Sequence, residues 1–337
     1  MTSNQLPDGF AEGAAWLAHT IDPKSRLIRL VRMDEPDYRA ASFLDDRWLE
    51  RSVESRICPL DAALRAVERG RDDARWIFHI GHVGSTLVSR LLGEFEGVLA
   101  IREPRSLRDL AVAESEEAPS VAGGLRRLMA RTFAPEQAAL VKATSIVSES
   151  AQLLVAPGAA ALFMFASPRN YVASILAGEN STKELRMLHE TRIARLMTRG
   201  MELDGFDRSD AHRAAAAWAC EMSSLTAAAE AMPDRRISWA DFDRTLQDMT
   251  GSIEAWLRHF GFIADFGRIS EVATGPLMRR YSKALEYDYS PRLRAELLAE
   301  AARDHAADIG EALAALHDAA KASPRLGHAL DRAERES

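Results

Sequence analysis

The sequence predicts an α/β protein with a mainly parallel sheet flanked by helices on both faces. From residue 76 onward, short continuous apolar runs alternate with helical stretches, which is typical of parallel strands buried on both faces. The predicted strands lie at residues 76–80, 98–101, 139–142, 161–165 and 236–239. Ligands of such sheets bind at the carboxyl ends of the strands, so the residues that follow each run are the first candidates for a site.

The remaining segments divide the chain into three parts. Residues 1–70 form a lead-in that packs on the main domain, with an exposed strand in "SRLIRLVRM" and a short helix in "PLDAALRAVERG". Residues 71–290 form the main domain, which includes a long helical section from Tyr171 to about Ala231. Within that section, "KELRMLHETRIARLMTRG" predicts a packed helix with an arginine-rich outer face. Residues 291–337 form a C-terminal helical extension.

Composition excludes some classes of function. The net charge of −7 disfavours a nucleic-acid partner, because non-specific binding requires a basic surface. Cys58 and Cys220 lack the pattern of a disulfide framework or a metal site. No basic leader precedes an apolar core, and no run approaches the roughly 18 apolar residues of a membrane span. We therefore expect a cytoplasmic protein with no membrane partner; the sequence does not indicate the oligomeric state.

The segment "WIFHIGHVGSTLVSRLL" predicts a strand, a phosphate-binding loop and a helix. Glycines let a loop turn tightly and bring its N–H groups to an anion, and the dipole of the following helix favours negative charge. An ordinary strand–turn–helix with a capping hydroxyl is the alternative interpretation. The candidate anion-binding residues are Gly81, His82, Val83, Gly84, Ser85 and Thr86. Residues 81–86 are called the anion loop below.

The anion loop lacks the lysine of nucleotide hydrolases that reaches the β- and γ-phosphates. No apolar strand ends in the aspartate that would hold magnesium; "RRISWAD" is the nearest segment, and it is too polar. A metal-dependent ATPase or GTPase is therefore disfavoured, and no metal site is predicted.

From about residue 75 to residue 287, the order of motifs resembles that of the PAPS-dependent P-loop sulfotransferases, and the chain would be a divergent member of that family. PAPS is 3′-phosphoadenosine-5′-phosphosulfate, which these enzymes use without a metal. The anion loop resembles their P-[RK]-S-G-T-T-L segment, "LAIREPR" places Glu103 where many members carry a base, and "VKATS" places Lys142 at their lysine. "ASPRNYVAS" is similar to the segment that holds the 3′-phosphate, and "MRRYSKALEY" to the late basic loop. "ISWADFDRTLQDMTGSIEAWLRHFGF" resembles their later strand and helix.

Two positions depart from the family pattern. His82 stands where the family has a loop arginine or lysine, and Ala166 stands where it has the first arginine of the 3′-phosphate segment. We hypothesise that His82 partly replaces the missing cation. A phosphate next to an imidazole favours its protonated form and raises its pKa above about 6.5, so ligand affinity should weaken as the pH rises.

The resemblance implies a role for each remaining candidate. Glu103 would be a general base, although a solvated carboxylate between Arg102 and Arg105 is the alternative. Lys142 would stabilise charge on the leaving oxygen, although a strand-end lysine with its head in water has the same sequence. Contacts to the 3′-phosphate would come from Arg169 and Ser174. In the late loop, which closes on the nucleotide in this family, Arg279, Arg280 and Lys283 would contact a phosphate; the alternative for all five is a solvated surface.

The function that the resemblance implies is transfer of a sulfuryl group from PAPS to a hydroxyl or amine of a small molecule or peptide, without a metal. One alternative is an ATP-dependent phosphotransferase that uses the same pocket. The other is a catalytically inactive protein of this fold that binds a nucleotide or anion.

Overall fold

A computed structural model describes residues 5–49, 53–113, 116–201, 205–282, 286 and 288–336. The lead-in holds a three-stranded antiparallel sheet in the order β1-β2-β3. Its elements are β1 (Trp16–Asp22), β2 (Leu27–Arg32), α1 (Glu35–Ala40), α2 (Asp46–Leu49), β3 (Ser55–Pro59) and α3 (Leu60–Ala66). The strand predicted in "SRLIRLVRM" is present as β2, but it is the central strand and three of its six residues are buried, so the prediction of an exposed strand is wrong.

The second sheet contains the five predicted strands, all parallel, in the order β5-β6-β4-β7-β8. These strands are β4 (Arg75–His79), β5 (Val98–Arg102), β6 (Ala138–Lys142), β7 (Ala160–Phe165) and β8 (Arg236–Asp241). The residues of β5, β6 and β7 are all buried, as expected for strands covered on both faces. The predicted α/β class with a parallel sheet is confirmed.

Helices connect and cover these strands. They are α4 (Ser85–Leu92), α5 (Arg105–Ala111), α6 (Ala118–Met129), α7 (Ala151–Leu154), α8 (Pro168–Leu176), α9 (Glu179–Thr198), α10 (Asp210–Ala231), α11 (Phe242–Thr245), α12 (Met249–Phe260) and α13 (Phe266–Thr274), with 3-10 helices at Ser145–Ser150 and Pro276–Arg279. Because the strands are parallel, the loops after β4, β5, β6, β7 and β8 lie along one edge of the sheet, which we call the carboxyl edge.

The C-terminal extension is α14 (Pro291–Asp304), α15 (Ala306–Ala322) and α16 (Pro324–Glu336). Helix α14 packs against α8, while α15 and α16 pack against α10. Apolar residues of all three helices, including Ala301, Ile309 and Leu330, belong to the same buried core as the sheet. The extension is therefore packed on the body, and α14 reaches the helix that follows β7.

The lead-in also packs on the main body. The N–H of Ile21 donates to Asp109 Oδ2 at 3.0 Å, and the Ser106 hydroxyl donates to the carbonyl of Ala18 at 2.6 Å. Both partners belong to α5, so the small sheet covers the helix that follows Glu103. Cys58 and Cys220 are buried free thiols. Among the helices of the described ranges, none has the length and apolar character required to cross a membrane.

Candidate functional site

The anion loop adopts a backbone that few residues other than glycine tolerate. Gly81, His82 and Gly84 have φ values of 88°, 55° and 64°. Gly84 is the N-cap of α4, and a Cβ built on it would lie 1.9–2.5 Å from ring atoms of Phe242. Only glycine fits there, for reasons of both backbone and space. Left-handed residues of this kind form concave backbone nests that bind anions, and the N-terminus of α4 faces the same loop.

His79, the last residue of β4, fixes the start of the loop. The N–H of Gly81 donates to His79 Nδ1 at 3.0 Å, so this nitrogen is the acceptor and Nε2 carries the proton. His79 Nε2 then donates to the carbonyl of Ala143 at 2.9 Å. A neutral histidine thus joins the loop to the strand that carries Lys142. Sequence reasoning missed His79; a polar residue ending an otherwise apolar strand was the available signal.

Buried hydroxyls line the loop without a hydrogen-bond partner. Thr86 is 2% exposed, and its Oγ1 has no partner among the described residues. Thr144, which follows β6, likewise has a buried and unpartnered Oγ1. Ser145 Oγ lies 3.8 Å from the position of a Cβ on Gly81, and Tyr171 Oη lies 3.9 Å from it. Unsatisfied buried hydroxyls are uncommon in folded proteins, so Thr86 and Thr144 each keep a hydrogen-bonding group that the described residues do not use.

The other three residues of the predicted loop have different surroundings. Val83 is buried in the core, so it contributes backbone rather than a side chain. Ser85 is also buried, at the first position of α4. His82 is partly exposed, and its Nδ1 lies 3.3 Å from the hydroxyl of Ser181 at the start of α9. His82 therefore extends across the loop toward α9.

Glu103 and Lys142 form an ion pair at the ends of the neighbouring strands β5 and β6. The ammonium group of Lys142 contacts Oε1 of Glu103, and the side chains are 1% and 12% exposed, respectively. The N–H of Glu103 donates to the carbonyl of Lys142 at 2.7 Å. Glu103 has a φ of 52°, an unfavourable conformation for a residue with a side chain, and such outliers cluster at functional sites.

The arginines that flank Glu103 in the sequence bind elsewhere. Arg102 is buried and donates to the carbonyls of Tyr38, Arg39 and Ala41 at the end of α1. Burial lowers its pKa to about 9. Arg105 pairs with Asp46 and Asp109. Lys142 is therefore the cation that contacts Glu103, and neither neighbouring arginine pairs with it.

The segment after β7 lies on the other side of β4. Ser167 caps α8 by accepting from the N–H of Asn170 at 3.3 Å, and Pro168 occupies the first turn. Ala166 is fully buried, and its carbonyl accepts from the indole N–H of Trp218 at 3.0 Å. Arg169 is exposed in the first turn of α8, while the Ser174 hydroxyl donates to the carbonyl of Tyr171 at 2.8 Å.

The late basic segment lies beside α4. Arg90 of α4 donates from Nε to the carbonyl of Ser282 at 3.0 Å. Arg279 is exposed at the end of a 3-10 helix, and Arg280 pairs with Asp288 at 2.9 Å. Lys283 lies outside the described residues. The structure thus brings Arg279 and Arg280 near the helix that follows the anion loop.

The arginine-rich helix α9 directs several of its arginines inward. Arg192 pairs with Glu221 of α10 at 3.3 Å, with both side chains buried. Arg195 and Arg199 pair with Glu149. Arg186 pairs with Asp210 and is largely exposed, so it lies on an outer face as predicted. The prediction of an arginine-rich outer face is therefore wrong for the others.

The site as a whole is a polar region of the carboxyl edge built on an anion loop. Its residues suit a phosphate-bearing ligand, because the loop offers backbone amides and an unpartnered threonine hydroxyl. Across the described ranges, no cluster of three or more His, Cys, Asp or Glu side chains could hold a metal ion.

Comparisons with known proteins give a distant structural likeness. No protein-family profile matches the chain, and no curated protein sequence matches it. Among solved structures, the chain is similar to the sulfotransferase domain from the curacin biosynthetic pathway, with a TM-score of 0.40 and 10% sequence identity. The match covers 68% of this chain and 90% of that chain.

Proposed function

We propose that this protein transfers a sulfuryl group from PAPS to a hydroxyl or amine of a small molecule or peptide. The observation that carries the proposal is the anion loop with its unpartnered Thr86 hydroxyl, one strand away from the Glu103–Lys142 pair. An anion site beside a carboxylate and an ammonium group contains the parts that such a transfer requires.

The anion loop would hold the phosphate of the donor that carries the sulfuryl group. Backbone N–H groups at the start of α4 and the hydroxyl of Thr86 are the donors there. Ser174 and Arg169 on α8, and Arg279, Arg280 and Lys283 in the late segment, are the further contacts that the resemblance implies. PAPS, when bound, supplies the sulfuryl group and is left as adenosine 3′,5′-bisphosphate.

Glu103 accepts the proton that the acceptor's hydroxyl or amine loses as its new bond to sulfur forms. The bond between sulfur and the donor's phosphate oxygen breaks, and its electron pair stays on that oxygen. Lys142, together with His82, stabilises the charge that collects there. Preorganised donors of this kind are worth about 2.7–4 kcal/mol each in a water-poor site. In the structure the two charges of Glu103 and Lys142 neutralise each other, so the pair must open when the acceptor binds.

Ligand binding tests the proposal directly. We would measure the melting temperature of the full chain with adenosine 3′,5′-bisphosphate, ADP and ATP, each with and without magnesium. A ligand at about 100 times its Kd adds about 2.7 kcal/mol, which is a shift of a few degrees. We expect the bisphosphate to stabilise the protein without magnesium. Stabilisation only by ATP with magnesium would instead indicate a phosphotransferase, and no shift with any of the three would refute the proposal.

A pair of matched variants identifies the site. Thr86→Val should weaken bisphosphate binding about tenfold, the cost of one charge-assisted hydrogen bond. Thr226→Val is the control, because Thr226 also has a buried, unpartnered Oγ1. It lies in the last two turns of α10, which lead to the start of β8 and therefore to the edge of the sheet opposite the anion loop. Equal affinities of the two variants would show that the ligand does not bind at the loop.

Turnover distinguishes an enzyme from an inactive binding protein. We would follow bisphosphate release from PAPS with a panel of phenols, alcohols and amines. Glu103→Gln should lower the rate about 10²–10⁴-fold while leaving bisphosphate affinity nearly unchanged. Binding without any release across the panel would favour the inactive alternative.

A further inference from the structure

A small cavity lies between β5, the edge strand of the parallel sheet, and helices α1 and α4. Its volume is about 20 Å³, which is enough for one particle of the size of a water molecule. Three arginines line it: Arg39 of α1, Arg90 of α4 and Arg102 of β5. The side chains of Arg39 and Glu35, which also lines the cavity, are 52% and 36% exposed, so the cavity is open to solvent on that side. We call it the arginine cavity.

Arg90 and Arg102 bind neighbouring carbonyls at the end of α1. Nε of Arg102 donates to the carbonyl of Ala41 at 2.7 Å, and its Nη2 donates to carbonyls within α1. Nη2 of Arg90 donates to the carbonyl of Ala40 at 3.4 Å and to the hydroxyl of Ser42 at 2.7 Å. The two guanidinium groups are therefore held close together, and every one of these partners is neutral.

In both arginines one nitrogen has no partner. Nε of Arg90 donates to the carbonyl of Ser282 at 3.0 Å, so Nε and Nη2 are used in each side chain. Nη1 of Arg90 and Nη1 of Arg102 form no hydrogen bond with the described residues, and neither atom is fully enclosed by protein. Buried Arg131 is different, because all three of its nitrogens donate to backbone carbonyls. The two Nη1 groups are thus hydrogen-bond donors for the arginine cavity.

These donors also carry charge that no carboxylate balances. Arg90 and Arg102 are buried, and neither forms an ion pair in the part of the chain that the structure describes. The two carboxylates that line the cavity pair elsewhere: Glu35 with Arg39 at 3.5 Å, and Glu94 with Arg268 at 3.8 Å. Burial and the neighbouring arginines lower the pKa of Arg102 to about 9, so its guanidinium is charged near neutral pH. Buried charges in proteins are usually paired, so the cavity favours an anion.

We propose that the arginine cavity binds one monatomic anion of the size of chloride, held by the Nη1 groups of Arg90 and Arg102 with Arg39 at the mouth. The volume selects the class of anion, because a halide is about as large as a water molecule whereas a phosphate or sulfate has four oxygens around its central atom. The site is separate from the anion loop and does not depend on the proposed function. A bound chloride would balance the two buried charges and so stabilise the contacts between the lead-in, α4 and β5.

Chloride titration of the full chain tests the site. The linewidth of the ³⁵Cl resonance reports binding directly, because a bound chloride relaxes faster than a free one; gluconate would keep the ionic strength constant. We expect saturable broadening that bromide reverses, and a melting temperature about 2–4 °C higher at about ten times the Kd. Arg90→Gln should lower chloride affinity about 10–100-fold, because it removes a charged donor.

Arg131→Gln is the matched control, because it also removes a buried arginine but no cavity donor, so it should leave chloride affinity within about twofold of the wild type. Thr86→Val should do the same, which separates the cavity from the anion loop. If Arg90→Gln does not fold, Arg39→Gln removes only the half-exposed charge at the mouth and should lower the affinity about fivefold. The proposal is refuted if the wild type shows no saturable broadening. It is equally refuted if the cavity variants bind chloride as tightly as Arg131→Gln does.

Discussion

The two halves of the carboxyl edge obtain their charged groups in different ways. Around β5, β6 and β4, the charged side chains belong to the strand ends themselves, and Glu103 meets Lys142 because their strands are neighbours in register. Around β7 and β8, the residue after β7 is a buried alanine, the residue after β8 is the buried Phe242, and Arg294 of α14 lies over the Phe242 ring. Parallel register alone positions the first half, whereas the second half depends on packing of the C-terminal extension.

The strongest test of this difference is to place an arginine at position 166. Ala166 has no exposed surface and its carbonyl is bound by Trp218, so Ala166→Arg would bury an unpaired charge. An uncompensated buried charge costs about 3–5 kcal/mol, and overpacking adds to this. We expect a large loss of stability in urea unfolding and no gain in bisphosphate affinity.

Arg169→Ala is the control for that variant, because it removes an exposed charge three residues away and should change stability by no more than about 0.5 kcal/mol. If Ala166→Arg folded normally and bound the bisphosphate more tightly, position 166 would open into the site. The contrast between the two halves would then be lost.

Breaking the Glu103–Lys142 pair tests the first half. Lys142→Met leaves the Glu103 carboxylate nearly buried without its cation and should cost about 3 kcal/mol, near the lower end for a buried pair because Glu103 is 12% exposed. Glu103→Gln together with Lys142→Met should be more stable than Lys142→Met alone. A double-mutant cycle in urea measures this coupling; additive costs would show that the pair contributes no net interaction.

Much of the first half could be predicted from the sequence, and little of the second. All five parallel strands begin and end within a few residues of their apolar runs, so the residues after them were identifiable. Glu103 and Lys142 could be brought together because neighbouring strands end at one edge. The contact of Phe242 with Gly84, the placement of Arg294 and the inward arginines of α9 depend on how distant helices pack. No local pattern encodes that packing.

Gly84 lies where the two halves meet: it is the N-cap of α4, which follows β4, and it contacts Phe242, which follows β8. Gly84→Ala should cost about 1–2 kcal/mol for the left-handed backbone and about 1–3 kcal/mol more for the clash with the ring. Gly158→Ala is the matched control, since Gly158 has a φ of 74° and nothing within 4 Å of an added Cβ. Thermal unfolding of both variants separates the two costs. Equal losses would mean that Phe242 moves aside freely.

The smallest expected effect concerns His82, which lies in the loop and reaches toward α9 across the boundary between the halves. An imidazolium attracts the bound phosphate and a neutral imidazole does not, so the contribution of His82 falls as the pH rises through its pKa. The phosphate itself gains charge over the same range, so wild-type affinity must be compared with that of His82→Gln at each pH. Bisphosphate titrations would run from about pH 5.5 to about pH 8.5. At the acidic end the wild type should bind the bisphosphate about fivefold more tightly than His82→Gln, because a partly exposed contact is worth about 1 kcal/mol. At the basic end the two affinities should be equal.

His259→Gln is the control for this titration. His259 Nε2 lies 3.0 Å from the carbonyl of Ala161 near the start of β7, so it is at the opposite edge of the sheet. This variant should reproduce the wild-type pH profile even if its stability changes. A wild-type advantage that stays constant across the range would mean that His82 acts as a neutral donor, as its contact with Ser181 allows.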